Sequence, residues 1–219
     1  MAYRLSGRGY AIDRFVNQKV EPLQRALFER GHASAIARAK MARLRKLVSG
    51  ETPSLLTIGD DVLADWREEE LGVPDGGSLE LRAVCTALGC YALMQQGKGR
   101  PVAEIAQVES DRPGLSFGRA CWKIQPDREL ADGVVRRLSS IEGASDFEGI
   151  VTGVRSLLNL MRSARQADGA PRSIKLDFGL LAADLYELQG GEAQRAAVLS
   201  RWGAAYYVHP SHEDRAEEE

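Results

Sequence analysis

Apolar residues recur along this chain at i, i+3, i+4 and i+7, the spacing of one face of an α-helix. Polar stretches bearing glycine or proline separate the runs. The first ten residues are polar and read as loose. Ile12 to Arg30 follows as a helix with Phe15, Val20, Leu23, Leu27 and Phe28 on one side, interrupted at Pro22, which points to two pieces. Ser34 is placed to cap the next helix, Ala35 to Val48, whose buried stripe is Ala37, Met41, Leu44 and Val48. Residues 49–78 predict broken helix with Leu55, Leu56, Ile58, Val62, Leu63, Trp66 and Leu71 on its apolar side. Ser78 caps Leu79 to Gln96, the expected central helix of the first half. It leaves through a basic, glycine-rich loop, Gln95 to Pro101.

In the second half, Pro113-Gly114 marks a turn and Ser116 an N-cap. Phe117, Ala120, Cys121 and Ile124 then line one face of a short helix, while Arg119 and Lys123 lie on another as displayed cations. The positive end of that helix, beside Gly114 and Gly118, suits a phosphate. A connecting helix with solvated charges fits the same residues. Arg128 to Ile141 buries Leu130, Val134, Leu138 and Ile141. Ser145-Asp-Phe-Glu148 has the pattern of a capping box and opens a helix to Ser163. Asp177 caps a helix carrying Phe178, Leu181, Leu185 and Leu188, and a last helix runs from Glu192 to Val208. No stretch alternates as a β-strand does. The expected fold is all-α, about eight or nine helices in two packed bundles, residues 1–125 and 126–208, with an acidic disordered tail at 209–219.

Charge changes the picture more than composition does. The net charge is −2, yet residues 1–50 carry eleven Lys/Arg against three Asp/Glu, and residues 51–80 one Arg against nine Asp/Glu. Arg38, Lys40, Arg43, Arg45 and Lys46 crowd a single helix. Either a polyanion or the acidic segment that follows would relieve their repulsion. No apolar run is long enough for a membrane span and no signal-peptide core precedes the helices, so the cytoplasm is the default compartment. Cys85, Cys90 and Cys121 read as small buried hydrophobes.

Catalytic chemistry has little purchase. His32 lies in a loop, and His209 and His212 lie in the tail, without the closed ligand set a metal needs. There is no nucleophile elbow, zincin motif or Walker motif. A helix-turn-helix regulator requires a recognition helix dense in exposed base readers, which Arg119 and Lys123 beside Phe117 and Trp122 fit poorly. Cations at helical spacing through the second half, with few aromatics, favour contact with a nucleic-acid backbone over base reading.

Gly114-Leu-Ser-Phe-Gly-Arg-Ala120 resembles the Gly-x-Ser-Leu-Gly-Arg-Ala motif of the CasB family, the small subunits of the type I-E CRISPR surveillance complex, Cascade. Val135-Arg-Arg-Leu138, Gly153-Val-Arg-Ser-Leu-Leu158, Ile174-Lys-Leu-Asp-Phe178 and Arg201-Trp202 with Tyr206-Tyr207 resemble that family's later pieces in the same order. Ala42 to Leu47 and Ala92 to Lys98 match upstream, so the resemblance spans about residues 35–208. It implies a non-enzymatic two-bundle protein without a cofactor, stacked head to tail with a second copy. Its partners would be the other Cascade subunits, CRISPR RNA, and single- and double-stranded DNA held without sequence preference. It would steady the displaced strand and the R-loop while guide pairing reads sequence. The nucleic-acid-binding residues it implies are Arg45, Lys46, Arg82, Lys98, Arg119, Lys123, Arg137 and Arg155, with a buried arginine pinning the two bundles together as the other reading of Arg119. Ser156 stands where the family often has a second cation, which weakens that edge. The alternative is a purely structural adaptor whose cations pair with the protein's own acidic segment.

Overall fold

The structure is a computed structural model and describes residues 3–29, 31–49 and 54–208. Among these lie ten α-helices, somewhat more than the pattern predicts, and no β-strand, so the fold is all-α. The helices are α1 (Gly7–Phe28), α2 (His32–Arg45), α3 (Leu55–Val62), α4 (Glu68–Leu71) and α5 (Leu79–Gln95), then α6 (Phe117–Trp122), α7 (Asp132–Glu142), α8 (Phe147–Ser163), α9 (Phe178–Glu187) and α10 (Glu192–Tyr207). Short 3₁₀ turns fill in at Lys46–Val48, Glu109–Leu115 and Arg128–Leu130. The tail at 209–219, with His209 and His212, lies outside the described residues.

The helix α9 is the axis of the fold. It is apolar nearly all round, and Phe178, Leu180, Leu181, Ala182, Ala183 and Leu185 are all buried. A helix hydrophobic on every face must be enclosed, and α1 and α5 flank this one. The Tyr91 and Phe178 rings meet edge to face at 5.3 Å where α5 crosses it. In turn α8 packs on α5, α7 on α8, and α10 on α6. One apolar cluster runs from Ile12 to Tyr206. Thus α9, from beyond residue 126, packs between two helices from before it.

Several local details depart from the pattern. Pro22 does not divide α1, which is continuous. The hydrogen bond it cannot donate would have gone to Gln18, and both residues are on the exposed face, where water substitutes. Residues 3–10 are not loose: Ser6 caps α1 by accepting from Gly9, and Tyr3 is buried with its hydroxyl on Asp184. Ser34 is no cap, because α2 starts earlier and the hydroxyl donates to the Leu27 carbonyl at 3.2 Å. Asp146, not Ser145, caps α8, accepting from Gly149 at 2.8 Å. The turn at Ala131 throws Leu130 off the buried stripe, leaving it 68% exposed, and Leu56 is also fully outside.

Two buried polar networks pin the crossings. Asp184 accepts from Tyr3, from Trp202 Nε1 at 2.6 Å and from Arg201 at 2.9 Å, and Arg201 also reaches Glu187 at 2.7 Å. In the other, Arg112 donates to Asp13 at 2.8 Å, and Asn17 Nδ2 donates to both Asp13 and Asp177 at 3.0 Å. Burial, then the charge of Asp177, push the Asp13 carboxyl up to about 6, against the pull of Arg112. A folded-state pKa above the unfolded one means the native state holds the proton more tightly. The resulting stabilisation is complete below about pH 4 and is lost as pH rises through about 6. Urea unfolding of wild type and Asp13→Asn across pH 4–7 should show it. The stability difference between them should shift against the wild type over that window and then level off. Parallel curves would contradict the assignment.

Candidate functional site

The basic surface of the first helices is largely neutralised from within. Asp61 takes a two-pronged contact from Arg43, at 2.6 and 3.0 Å, and lies 3.6 Å from Lys40. Glu70 pairs with Arg14 and Arg67, Glu80 with Arg8 at 3.4 Å, and Asp65 with Lys19 at 3.7 Å. So the acidic segment supplies counter-charges to α1 and α2, the outcome expected of a structural pairing. Arg45 and Lys46 close α2 near its packing with α5.

The other predicted cations divide between two places. Arg119 takes the buried place of its two readings: it is 5% exposed, not displayed, with its guanidinium 5.0 Å over the Trp122 ring. The physical reason is that α6 has only six residues and is enclosed by α10, α8 and the preceding turn. Ser116, its cap, is fully buried and accepts from the Arg119 amide, so the helix start is not open to a phosphate. Lys123 ends the same helix, half-buried. Within the motif, Gly118 lies against the backbone of Trp202 and Ala120 is buried. The motif is therefore a joint between α6 and α10.

Four predicted cations gather around α8. Arg82 lies 4.7 Å over the Phe147 ring at its start. Arg155, half-buried, sits midway, and Arg137 reaches Ser156 Oγ at 2.7 Å from α7. Lys98 Nζ donates to the Arg162 carbonyl at 2.7 Å, at the helix end. From Phe147 to Arg162 the helix rises roughly 22 Å, at about 1.5 Å per residue.

At that end the chain forms a cavity of about 720 Å³ between the 97–102 loop, the end of α8 and residues 165–174. Lys98, Arg100, Arg162, Arg165 and Arg172 line it, and no carboxylate does among the described residues. The loop is held by the buried Gln95 side chain. Its Nε2 donates to the Arg100 carbonyl at 2.9 Å and its Oε1 accepts from the Val102 amide at 3.0 Å. The far wall is a turn in which Gln166 donates to Ala170 at 2.8 Å and Arg172 to Ala164 at 3.0 Å. The carbonyls ending α8 attract cations, and Lys98 and Arg162 answer to that. Arg100 and Arg165 have no such reason; both are exposed and form no salt bridge among the described residues. The crowding has a consequence for Lys98: burial, then repulsion by Arg162 and Arg165, hold its pKa below the usual lysine value. A concave cluster of like charge focuses its field outward and attracts anions.

Of the eight predicted residues, only Lys98 lines this cavity. Arg100, Arg162, Arg165 and Arg172 were visible as cations in two loops and a helix end. That residues 97–102 face residues 165–174 is decided by the approach of Ala103 to Leu176, two segments more than seventy residues apart. Lys175, nearby in sequence, is instead paired with Glu104 at 2.6 Å. Among the described residues no group of His, Cys, Asp and Glu is arranged to hold a metal, and no helix is long and apolar enough to cross a membrane.

Comparison with known proteins adds a family. Residues 40–207 match the family described as CRISPR-associated protein Cse2. The fold is similar to that of the crystal structure of CasB from Thermobifida fusca, with a TM-score of 0.65 and 22% identity over 94% of this chain and 100% of that one. It is also similar to M. ruber CasB, with a TM-score of 0.54 and 17% identity over 91% and 95% of the two chains. No curated protein matches the sequence.

Proposed function

The chain belongs to the CRISPR-associated Cse2 family, and from that premise we propose that it is the non-catalytic small subunit of a type I-E Cascade complex. In this reading it works in the cytoplasm, in antiviral defence. It binds nucleic-acid backbone and steadies the displaced DNA strand of the R-loop. Its partners are the other Cascade subunits, CRISPR RNA, and a second copy stacked head to tail.

The observation that carries the reading is the cavity at the end of α8, with five cations and, among the described residues, no lining carboxylate. Guide pairing reads sequence in such complexes, so a subunit holding the displaced strand needs charge without base discrimination. Arg155 on α8 and Arg82, reaching over Phe147 from α5, extend the cationic track toward the start of α8. Arg119 acts through the α6–α10 joint, not by touching DNA.

Titrating the full chain with labelled single-stranded DNA across salt concentrations tests the backbone reading. Log affinity should fall linearly with log salt, by about 0.7 per phosphate neutralised. Affinity indifferent to salt would end it. Assembly with guide RNA and the remaining subunits tests membership of the complex. A chain that stays outside it would favour the adaptor alternative, whose support is the internal pairing of α1 and α2 with the acidic segment.

A further inference from the structure

We propose that the cavity at the end of α8 takes one unstacked nucleotide of a single strand, its base directed inward and its phosphates on the arginine rim. This rests on the backbone-binding reading above and adds a shape requirement to it. A surface that only neutralises phosphates can be convex or flat. This one is a cavity of about 720 Å³, inside the range of about 300–1,000 Å³ that encloses small molecules.

Its lining is of two kinds. Met94, Val102, Met161 and Ile174 form an apolar floor, and Pro101 and Pro171 flank it. Phosphate has no use for such a floor; a base does, because its faces are apolar and its edges can be left wet. The cations supply the rest, since guanidinium planes stack on bases as well as pair with phosphates. Gly97 and Gly99 also line the cavity, with open space at the Cβ position of each. A stacked duplex keeps its bases inside and would leave the floor unfilled. A single strand offers a base at the lowest unstacking cost.

The test compares the full chain's affinity for an oligothymidine with that for an abasic oligomer of equal phosphate count. The oligothymidine should bind about fivefold more tightly, the low end of what one base contact contributes. Equal affinities, both falling with salt, would overturn the nucleotide pocket and leave the backbone reading standing. If neither oligomer binds, both readings fall. Ala170→Leu puts aliphatic bulk into the cavity, with no ring for a base to stack on, and keeps all five cations, so it should bring the two oligomers to the same affinity. Ser173→Leu is a second filling variant should the first not fold. A preference that survives in a folded filled variant would place the base elsewhere and overturn the assignment. Thymidine monophosphate separates a strand from a free nucleotide. It should bind more weakly than the oligomer, and equal binding would refute the strand requirement.

Discussion

Reversing Arg100 and Arg165 together to glutamate is expected to weaken single-stranded DNA binding by about a hundredfold at moderate salt, with the fold unchanged. Both side chains are exposed, and neither forms a salt bridge among the described residues, so stability should move little. Each contributes to a field that no lining carboxylate offsets among the described residues. Losing two phosphate contacts lowers the salt slope by about 1.4 for a single strand. Between 1 M and 0.1 M salt that slope alone corresponds to about 25-fold in affinity. Reversal adds repulsion to the loss, which takes the effect to about a hundredfold. The informative control is Arg43→Glu. It also reverses a cation, but one already held by Asp61 at 2.6 Å. It should cost stability and change DNA affinity little. Equal loss of affinity in both variants would mean that net charge, not the cavity, governs binding.

The second large effect is on folding, and it sits in the motif that carries the resemblance. A Cβ on Gly118 would overlap the Trp202 carbonyl oxygen and lie 2.8 Å from its carbonyl carbon and Cα. These are backbone atoms of α10 and cannot rotate aside as a side-chain end can. Gly118→Val should therefore force α6 off α10 and cost about 3 kcal/mol or more, lowering Tm by about 6–12 °C for a chain of this size. The Phe117–Trp202 ring contact, 4.6 Å between centroids, would open with it. Gly114, four residues earlier, has open space around its Cβ position and no left-handed backbone. Gly114→Ala should stay within about 0.5 kcal/mol. Thermal melts of the two variants decide the matter. Equal tolerance would mean that the α6–α10 joint is not held by this close approach.

The comparison of those two glycines also shows where sequence reading stops. Both stand in one motif and nothing in composition or spacing separates them. Only the arrival of Trp202 from more than eighty residues away makes one of them irreplaceable. Arg119 tells the same story. On a helical wheel it falls off the apolar face and reads as displayed, yet a six-residue helix covered on several sides has no free face to show it on. The acidic segment was legible as a partner for α2 in charge alone. Which carboxylate meets which cation, Asp61 with Arg43 and Glu70 with Arg14, depended on how the helices turn back.

The sequence by itself determined the all-α class, the stripes of α5 and α8, and the caps at Ser78, Ser116 and Asp177. It also carried the family resemblance. Those are properties of periodicity, local hydrogen bonding and the order of motifs, all written within a few turns of chain. The tertiary structure alone decided that α9 is enclosed by α1 and α5 and that Arg119 is buried. It alone assembled Lys98, Arg100, Arg162, Arg165 and Arg172 around one cavity. Each of these depends on contacts between residues distant in the chain, and helical periodicity carries no information about which distant turns will meet.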